Sequence, residues 1–258
     1  MNKIIGFDFD GVICDSTEEC LITGYNAWLK FQNKSQFITA SKQVSEDLAK
    51  YFRAWRGLVR TADQYFVVFN SYGKNQKLKN EQDFEQRCIQ KKSLQNKYQK
   101  LFFAAREELR NKDIEYWSNL HYPYQGIADG LQRIIKIANV FMVTSGKDKP
   151  SVKIFLRHLG IDFPEEKIYD KQIAANKRTA LEKIAQQTGQ KLKDIIFLDD
   201  NINHIFNLKQ AGCQISMAGW GYHTDEHLTK VAARGIPILD LDNWSDYFMA
   251  KLNRNQHD

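Results

Sequence analysis

Residues 3–12, KIIGFDFDGV, carry the reading that decides the fold. The first seven of them, KIIGFDF, form a short apolar run that turns acidic, which predicts a buried strand near the N-terminus. In a strand, residues i and i+2 project to the same side. Asp8 and Asp10 therefore share a side, with Cα atoms about 6.6 Å apart, while Phe7 and Phe9 turn into apolar packing. Gly11 allows a sharp turn immediately afterwards. No other strand lies near this one in sequence, so it has to join strands far down the chain.

Those strands lie in the second half. Composition shifts at residues 121–130, HYPYQGIADG, which hold a proline and two glycines. A helix is predicted over 127–137, a strand over 140–144, and a helix over 150–159 that Gly160 can stop. A short strand at 167–169, a helix at 177–188, a strand at 195–198, a helix at 203–211 and a strand at 214–217 follow. This alternation predicts a Rossmann-like α/β fold, a parallel sheet with helices on both faces. Residues 16–125 read as all-helical, opened by Ser16 as an N-cap. Val44, Leu48, Tyr51, Phe52, Trp55, Leu58 and Val59 recur at helical spacing over 41–68. Leu94, Tyr98, Leu101, Phe102, Ala105 and Leu109 form a second stripe within 80–120. The domain organisation expected is one α/β core, residues 1–15 and 126–258, interrupted by a helical insert, residues 16–125.

Composition bounds the function. Of 258 residues 43% are hydrophobic and 12% aromatic, which excludes a disordered chain. Mean hydropathy is −0.54, and no run approaches the ~18 apolar residues of a membrane span. Asp8 and Asp10 break the apolar stretch a secretion signal would need, so a cytoplasmic location is expected. Cys14, Cys20, Cys88 and Cys213 form no CxxC pair, which points to free thiols and away from structural zinc. Net charge is +6. Residues 16–125 hold 18 Lys+Arg against 12 Asp+Glu, and the remainder 19 against 19, so the whole excess sits in the insert. Such an excess can draw an anionic substrate, although a solvated helical surface explains it slightly better. Nucleic acid is not the expected partner: the basic segment KKSLQNKYQK, residues 91–100, has helical packing periodicity. The oligomeric state is not readable.

In open parallel sheets, chemistry sits at the carboxyl ends of the strands. The first strand ends in Asp8 and Asp10, a pair able to divide the roles of nucleophile and general acid–base. The strand over 140–144 ends in Thr144, followed by Ser145 and Gly146, whose hydroxyls and backbone N–H groups can bind phosphoryl oxygens. The strand over 195–198 runs into Asp199 and Asp200, with Asn201 and Asn203 able to turn or cap the next helix. Four carboxylates around one cleft repel each other and any phosphate unless a divalent cation such as Mg²⁺ joins them. A lysine could neutralise the transferring group, and Lys177 and Lys171 are the two candidates.

Asp8-Phe9-Asp10-Gly11-Val12, Val143-Thr144-Ser145-Gly146, Lys177 and Phe197-Leu198-Asp199-Asp200, in that order, resemble the four motifs of the haloacid dehalogenase-like hydrolase superfamily. The insert after the first motif is where members with a helical cap carry it. Gly219-Trp220-Gly221-Tyr222 is similar to the tail of phosphoglycolate-phosphatase-like members. The resemblance implies that Asp8 attacks phosphorus to form an aspartyl-phosphate and that Asp10 protonates the leaving alcohol, then activates water. It implies Mg²⁺ on Asp8, the Asp10 backbone carbonyl and Asp199 or Asp200, with Thr144 and Lys177 on the phosphoryl group. A general acid suits an alcohol leaving group and argues against dehalogenase chemistry. Within the insert, Arg53, Arg56 and Arg60 fall at i, i+3 and i+7, and Arg56 and Arg60 could grip an anionic part of the substrate from one helix face. A solvated or salt-bridged face is the competing reading. The expected activity is Mg²⁺-dependent hydrolysis of a small phosphorylated metabolite. A sugar phosphomutase, or a binding protein that keeps the fold without catalysis, are the alternatives.

Overall fold

The structure, a computed structural model, describes residues 3–253. The chain divides into two units, one holding the residues up to Asp15 and from Tyr122 onward, the other Ser16–His121. The second boundary falls after His121 rather than after Gln125. The reason is local: Cys14–Asp15 and Tyr122–Pro123 pair as two short antiparallel strands, so the returning chain joins the first unit as soon as it leaves the helices.

The Ser16–His121 unit is helical: α1 (Thr17–Phe31), α2 (Glu46–Trp55), α3 (Tyr65–Gly73), α4 (Glu81–Gln90), α5 (Lys92–Lys112) and α6 (Ile114–Asn119). Ser16 does occupy the N-cap position of α1, but its hydroxyl makes no capping bond and lies 3.7 Å from the Cys20 sulfur. The periodic stretch 41–68 is not one helix. It breaks at Trp55, and Arg56–Leu58 form a single tight 3₁₀ turn around Gly57, a residue that weakens helices. The stripe on α5 buries Tyr98, Phe102, Ala105 and Leu109, while Leu94 faces outward. Lys91 ends α4, and in the first turn of α5 it is Gln95 that points inward and bonds the Cys88 carbonyl. Aromatic rings fill the centre: Tyr65 stacks on Phe102 at 5.3 Å, and Phe66 meets Tyr98 at 5.7 Å. Arg106 crosses this core fully buried and donates to both Glu19 oxygens at 2.8 and 3.1 Å.

Among the described residues, the other unit is built on eight strands: β1 (Ile4–Phe7), β2 (Cys14–Asp15), β3 (Tyr122–Pro123), β4 (Asn139–Val143), β5 (Ile168–Tyr169), β6 (Ile195–Asp199), β7 (Gln214–Ala218) and β8 (Ile238–Leu239). Six form a parallel sheet in the order β5-β4-β1-β6-β7-β8. Its helices are α7 (Ile127–Ile135), α8 (Lys149–His158), α9 (Lys177–Thr188), α10 (Ile202–Gln210), α11 (Asp225–Ala232) and α12 (Trp244–Asn253). Alternation along the strands assigns the two faces. Ile5, Phe7, Val140, Met142, Ile196 and Leu198 pack with α7, α8 and α12. Ile4, Phe141, Val143, Ile195 and Phe197 pack with α9 and α10. Both faces are covered, which is why these strands read as nearly unbroken apolar runs.

This topology makes β1 the switch point. The strand that follows β1 in the sheet on one side is β4, and on the other β6. Phe7 lies level with Met142 on one side and Leu198 on the other, so the residues just beyond these three emerge side by side at the carboxyl ends. Among the described residues, no helix is long and apolar enough to cross a membrane.

Candidate active site

Asp8 directly follows β1, and its N–H still donates to the Leu198 carbonyl, 2.9 Å away. That bond extends the β1–β6 register by one residue and fixes the backbone of Asp8. Phe9 turns to the opposite face, fully buried edge-on to Phe155 at 5.6 Å. Gly11 has φ +83, a conformation that side chains rarely adopt. A Cβ there would lie 2.0 Å from Asp200 Oδ2. Gly11→Ala is therefore expected to cost roughly 2 kcal/mol or more in urea denaturation, from strain and displacement of Asp200 together.

Asp8, Lys177 and Asp199 form one buried array. The Lys177 ammonium lies 2.5 Å from Asp8 and 2.6 Å from Asp199. Lys177 is the first residue of α9, and the helix start is set by Asn176, whose side chain accepts from the Thr179 N–H at 3.0 Å. Asn176-x-x-Thr179 is a capping signal that fixes the register of Lys177 from sequence. Lys171, the other candidate, lies in the turn after β5.

Asp199 uses both carboxylate oxygens. Oδ2 takes Lys177, and Oδ1 accepts from the Asn201 N–H at 2.9 Å and lies 3.4 Å from His204 Nδ1. Asn201 also caps α10 through the N–H groups of Asn203 and His204, so neither Asp199 nor Asp200 is needed as the cap. Asp200 is held by a different element. The Tyr222 N–H donates to its Oδ2 at 2.7 Å. Gly221 lies so close that a Cβ would sit 2.3 Å from Asp200 Cβ. The Gly219-Trp220-Gly221-Tyr222 stretch thus serves as a clasp: Trp220 donates to the Val12 carbonyl at 3.1 Å and the Tyr222 hydroxyl to Asp15 at 2.7 Å.

Asp10 lies beyond the strand and is less buried than Asp8. Its partner is a second lysine, Lys147, 3.2 Å from Oδ1. Asp8 and Asp10 therefore have different cations. Thr144 is buried at the end of β4 and accepts the Lys147 N–H through its hydroxyl at 3.1 Å. Ser145 and Gly146 form the half-buried turn between them.

The electrostatics follow from burial. Desolvation pushes the Asp8 carboxyl up to about 7; Asp199 adds to the rise, and Lys177 opposes it. Burial raises Asp200 well above the usual carboxylate range, with Asp8 and Asp199 repelling it further. Burial would raise Asp199 as well, but Lys177 and His204 outweigh it and hold that carboxyl low. Burial would lower Lys177, but Asp199 and Asp8 more than offset this and raise it. One ammonium thus serves Asp8 and Asp199 together, and a surplus of negative charge faces Asp8 and Asp200 whenever both are ionised. That surplus on hard oxygen donors suits a divalent cation such as Mg²⁺. Asp8, Asp199 and His204 also bring one donor each within 4.8 Å of one another. The Lys177 ammonium already bridges Asp8 and Asp199, however, so a cation is better placed against Asp8 and Asp200.

The arginines do not form the face expected of them. The helix ends at Trp55 and the 3₁₀ turn at Leu58, so Arg60 falls outside the helical segment that carries Arg53 and Arg56. Arg53 pairs with Glu18 at 3.1 Å. Arg56 is buried, bonds the Val59 carbonyl and lies 5.7 Å over Tyr65. Arg60 pairs with Glu85. The basis for Arg56 and Arg60 as a joint anion grip is thereby removed. The sequence reading, for its part, missed Lys147 and His204. His204 carried a weak signal, standing one turn into the helix that Asn201 caps.

A parallel α/β core is interrupted by helices after its first strand and carries a buried Asp–Lys–Asp array at its strand ends. The chain belongs to the haloacid dehalogenase-like hydrolase family, whose model matches residues 2–212. A comparison with curated protein sequences finds no match. Among solved structures, it is similar to a predicted phosphoglycolate phosphatase from Haemophilus somnus, with 18% identity, a TM-score of 0.61 and coverage of 97% of this chain and 98% of that one. It is also similar to a haloacid dehalogenase-like family protein from Streptococcus pneumoniae, with 14% identity, a TM-score of 0.62 and coverage of 98% and 99%. A β-phosphoglucomutase from Clostridium difficile shares 18% identity with a TM-score of 0.56, covering both chains fully. At these identities the likeness is one of fold.

Proposed function

We propose that this hydrolase is a Mg²⁺-dependent phosphomonoesterase acting on a small phosphorylated metabolite through an aspartyl-phosphate. The observation that carries this reading is the fixed placement of Asp8 against Lys177 and beside Asp10, with Asp10 on its own lysine. Asp8 is the nucleophile, backbone-anchored at a strand end. Lys177 keeps Asp8 in place and faces the oxygens of the transferring group. Thr144, with the Ser145 and Gly146 backbone, offers further donors to that group. Asp10 gives its proton to the leaving alcohol and then takes one from the attacking water. The Asp8 and Asp200 carboxylates and the Asp10 backbone carbonyl would hold Mg²⁺, which when bound supplies charge neutralisation to the phosphoryl oxygens. Asp199 acts through Lys177 and His204 rather than as a direct ligand. The Ser16–His121 unit, inserted after the first motif, is proposed as the cap that selects the substrate.

Phosphate release from a panel of metabolite phosphates, before and after removal of divalent cations with EDTA, tests this reading. Release that falls to background in EDTA and returns with Mg²⁺ supports it. The β-phosphoglucomutase likeness keeps a mutase as the second reading. Product analysis separates the two, since a mutase returns isomerised ester and little free phosphate. Release that is insensitive to EDTA would defeat the metal assignment and leave the nucleophile to be tested by substitution.

A further inference from the structure

Resting on the phosphatase reading, we propose that Lys147 is the positioning residue of Asp10 and holds its carboxylate in line for both proton transfers.

The loop that carries Lys147 is locked at each side. Its own N–H bonds the Thr144 hydroxyl at 3.1 Å, and the next residue, Asp148, caps α8 by accepting from the Ser151 N–H at 3.0 Å. The side chain therefore leaves a fixed backbone. Lys147 is only 1% exposed, and its ammonium meets Asp10 Oδ1 at 3.2 Å. A buried ammonium is costly to separate from a carboxylate, which ties the positions of Lys147 and Asp10 together. The same turn flanks the other oxygen: a Cβ at Gly146 would lie 3.5 Å from Asp10 Oδ2. Asp10 stands past the end of β1, bridged to Cys14 rather than to β6. Its aim is supplied from the 144–148 turn instead.

The chemistry gives this a distinctive signature. In the first step the Asp8 oxygen bonds phosphorus as the ester P–O bond breaks, and the Asp10 proton passes to the leaving oxygen. In the second, Asp10 takes a proton from water as the water oxygen bonds phosphorus. The Asp8–phosphorus bond then breaks, and inorganic phosphate leaves. A p-nitrophenolate departs without a proton, whereas an alkoxide does not. A misaimed Asp10 therefore spares the first step with p-nitrophenyl phosphate, slows the second with every ester, and slows both with an alkyl ester.

The test is rapid-mixing kinetics of wild type, Lys147→Gln and Lys147→Arg with p-nitrophenyl phosphate and glycerol 3-phosphate. Lys147→Met is read in place of Lys147→Gln should the latter not fold. The neutral variant is expected to release about one equivalent of nitrophenol in a burst, followed by turnover slowed on the order of 10²-fold. With glycerol 3-phosphate the first turnover slows by a similar factor and no burst appears, and Lys147→Arg recovers most of both rates. Unchanged kinetics, or burst and steady-state phases slowed alike, overturn the assignment while wild-type turnover keeps the phosphatase reading. A wild type that releases neither nitrophenol nor phosphate overturns that reading, and this assignment with it.

Discussion

Asp8→Asn is expected to abolish phosphate release, by about 10⁴-fold or more, while raising the melting temperature of the metal-free protein. The two effects share one cause. The carboxylate is the proposed nucleophile, and a carboxamide is far less able to bond phosphorus. The same carboxylate is costly to bury, which is why its pKa is pushed up to about 7. That lies above the ordinary carboxylate value, so between the two the folded protein binds the Asp8 proton more tightly than the unfolded chain does. The stability contributed by protonated Asp8 is thus complete below the ordinary value and is lost as pH rises through about 7. Asparagine does not ionise and escapes this loss. In EDTA the melting temperatures of variant and wild type should differ little near pH 4 and diverge toward pH 8. Adding Mg²⁺ should stabilise the wild type more than the variant, since a ligand that binds only the folded state adds stability with its occupancy. Thermal scans across that pH range, with EDTA or Mg²⁺, check all of this. A variant that melts lower than wild type in EDTA at pH 8 would show that the Asp8 charge is stabilised by more than Lys177.

Much of this site is legible in the chain, for a reason that its particular residues make plain. Asp8, Thr144 and Asp199 sit at the ends of short apolar runs, and a parallel sheet gathers those ends at one edge. Their meeting therefore follows from topology, with no knowledge of side-chain directions. Lys177 is legible as well, through the Asn176 cap that sets its helix. Lys147 is not. In SGKDK it stands among polar turn residues with Lys149 close by, and nothing in the pattern says which lysine turns inward. The choice is made by the Thr144 hydroxyl and the Asp148 cap, which curl the loop. The arginines fail for the opposite reason. Their spacing was periodic, but the 3₁₀ turn at Arg56–Leu58 changed the rotation per residue and scattered them. Helical spacing locates a shared face only while the helix lasts.

Lys177→Met is expected to be the most destabilising single change in the site. Its ammonium bridges two carboxylates that are themselves buried, at 2.5 and 2.6 Å. Removing one member of a buried ionic group costs about 3–5 kcal/mol, because the charge left behind has neither water nor partner. Here two carboxylates are left, and Asp200 already repels Asp8. The cost should depend on the negative charge that remains rather than on lost packing, since methionine fills nearly the same volume. Lys177→Met combined with Asp199→Asn should therefore regain much of the stability, with a coupling of about 1–3 kcal/mol in a double-mutant cycle. It should regain none of the turnover, because Lys177 also faces the transferring group, and loss of such a charge slows catalysis by about 10²–10³-fold. Urea denaturation of the four proteins in EDTA, paired with phosphate release in Mg²⁺, reads both quantities. A Lys177→Met protein within about 1 kcal/mol of wild type would mean that water reaches the array and screens it. Additive single losses would mean that Asp199 and Lys177 stabilise the fold independently, and the array would then cease to be one electrostatic unit.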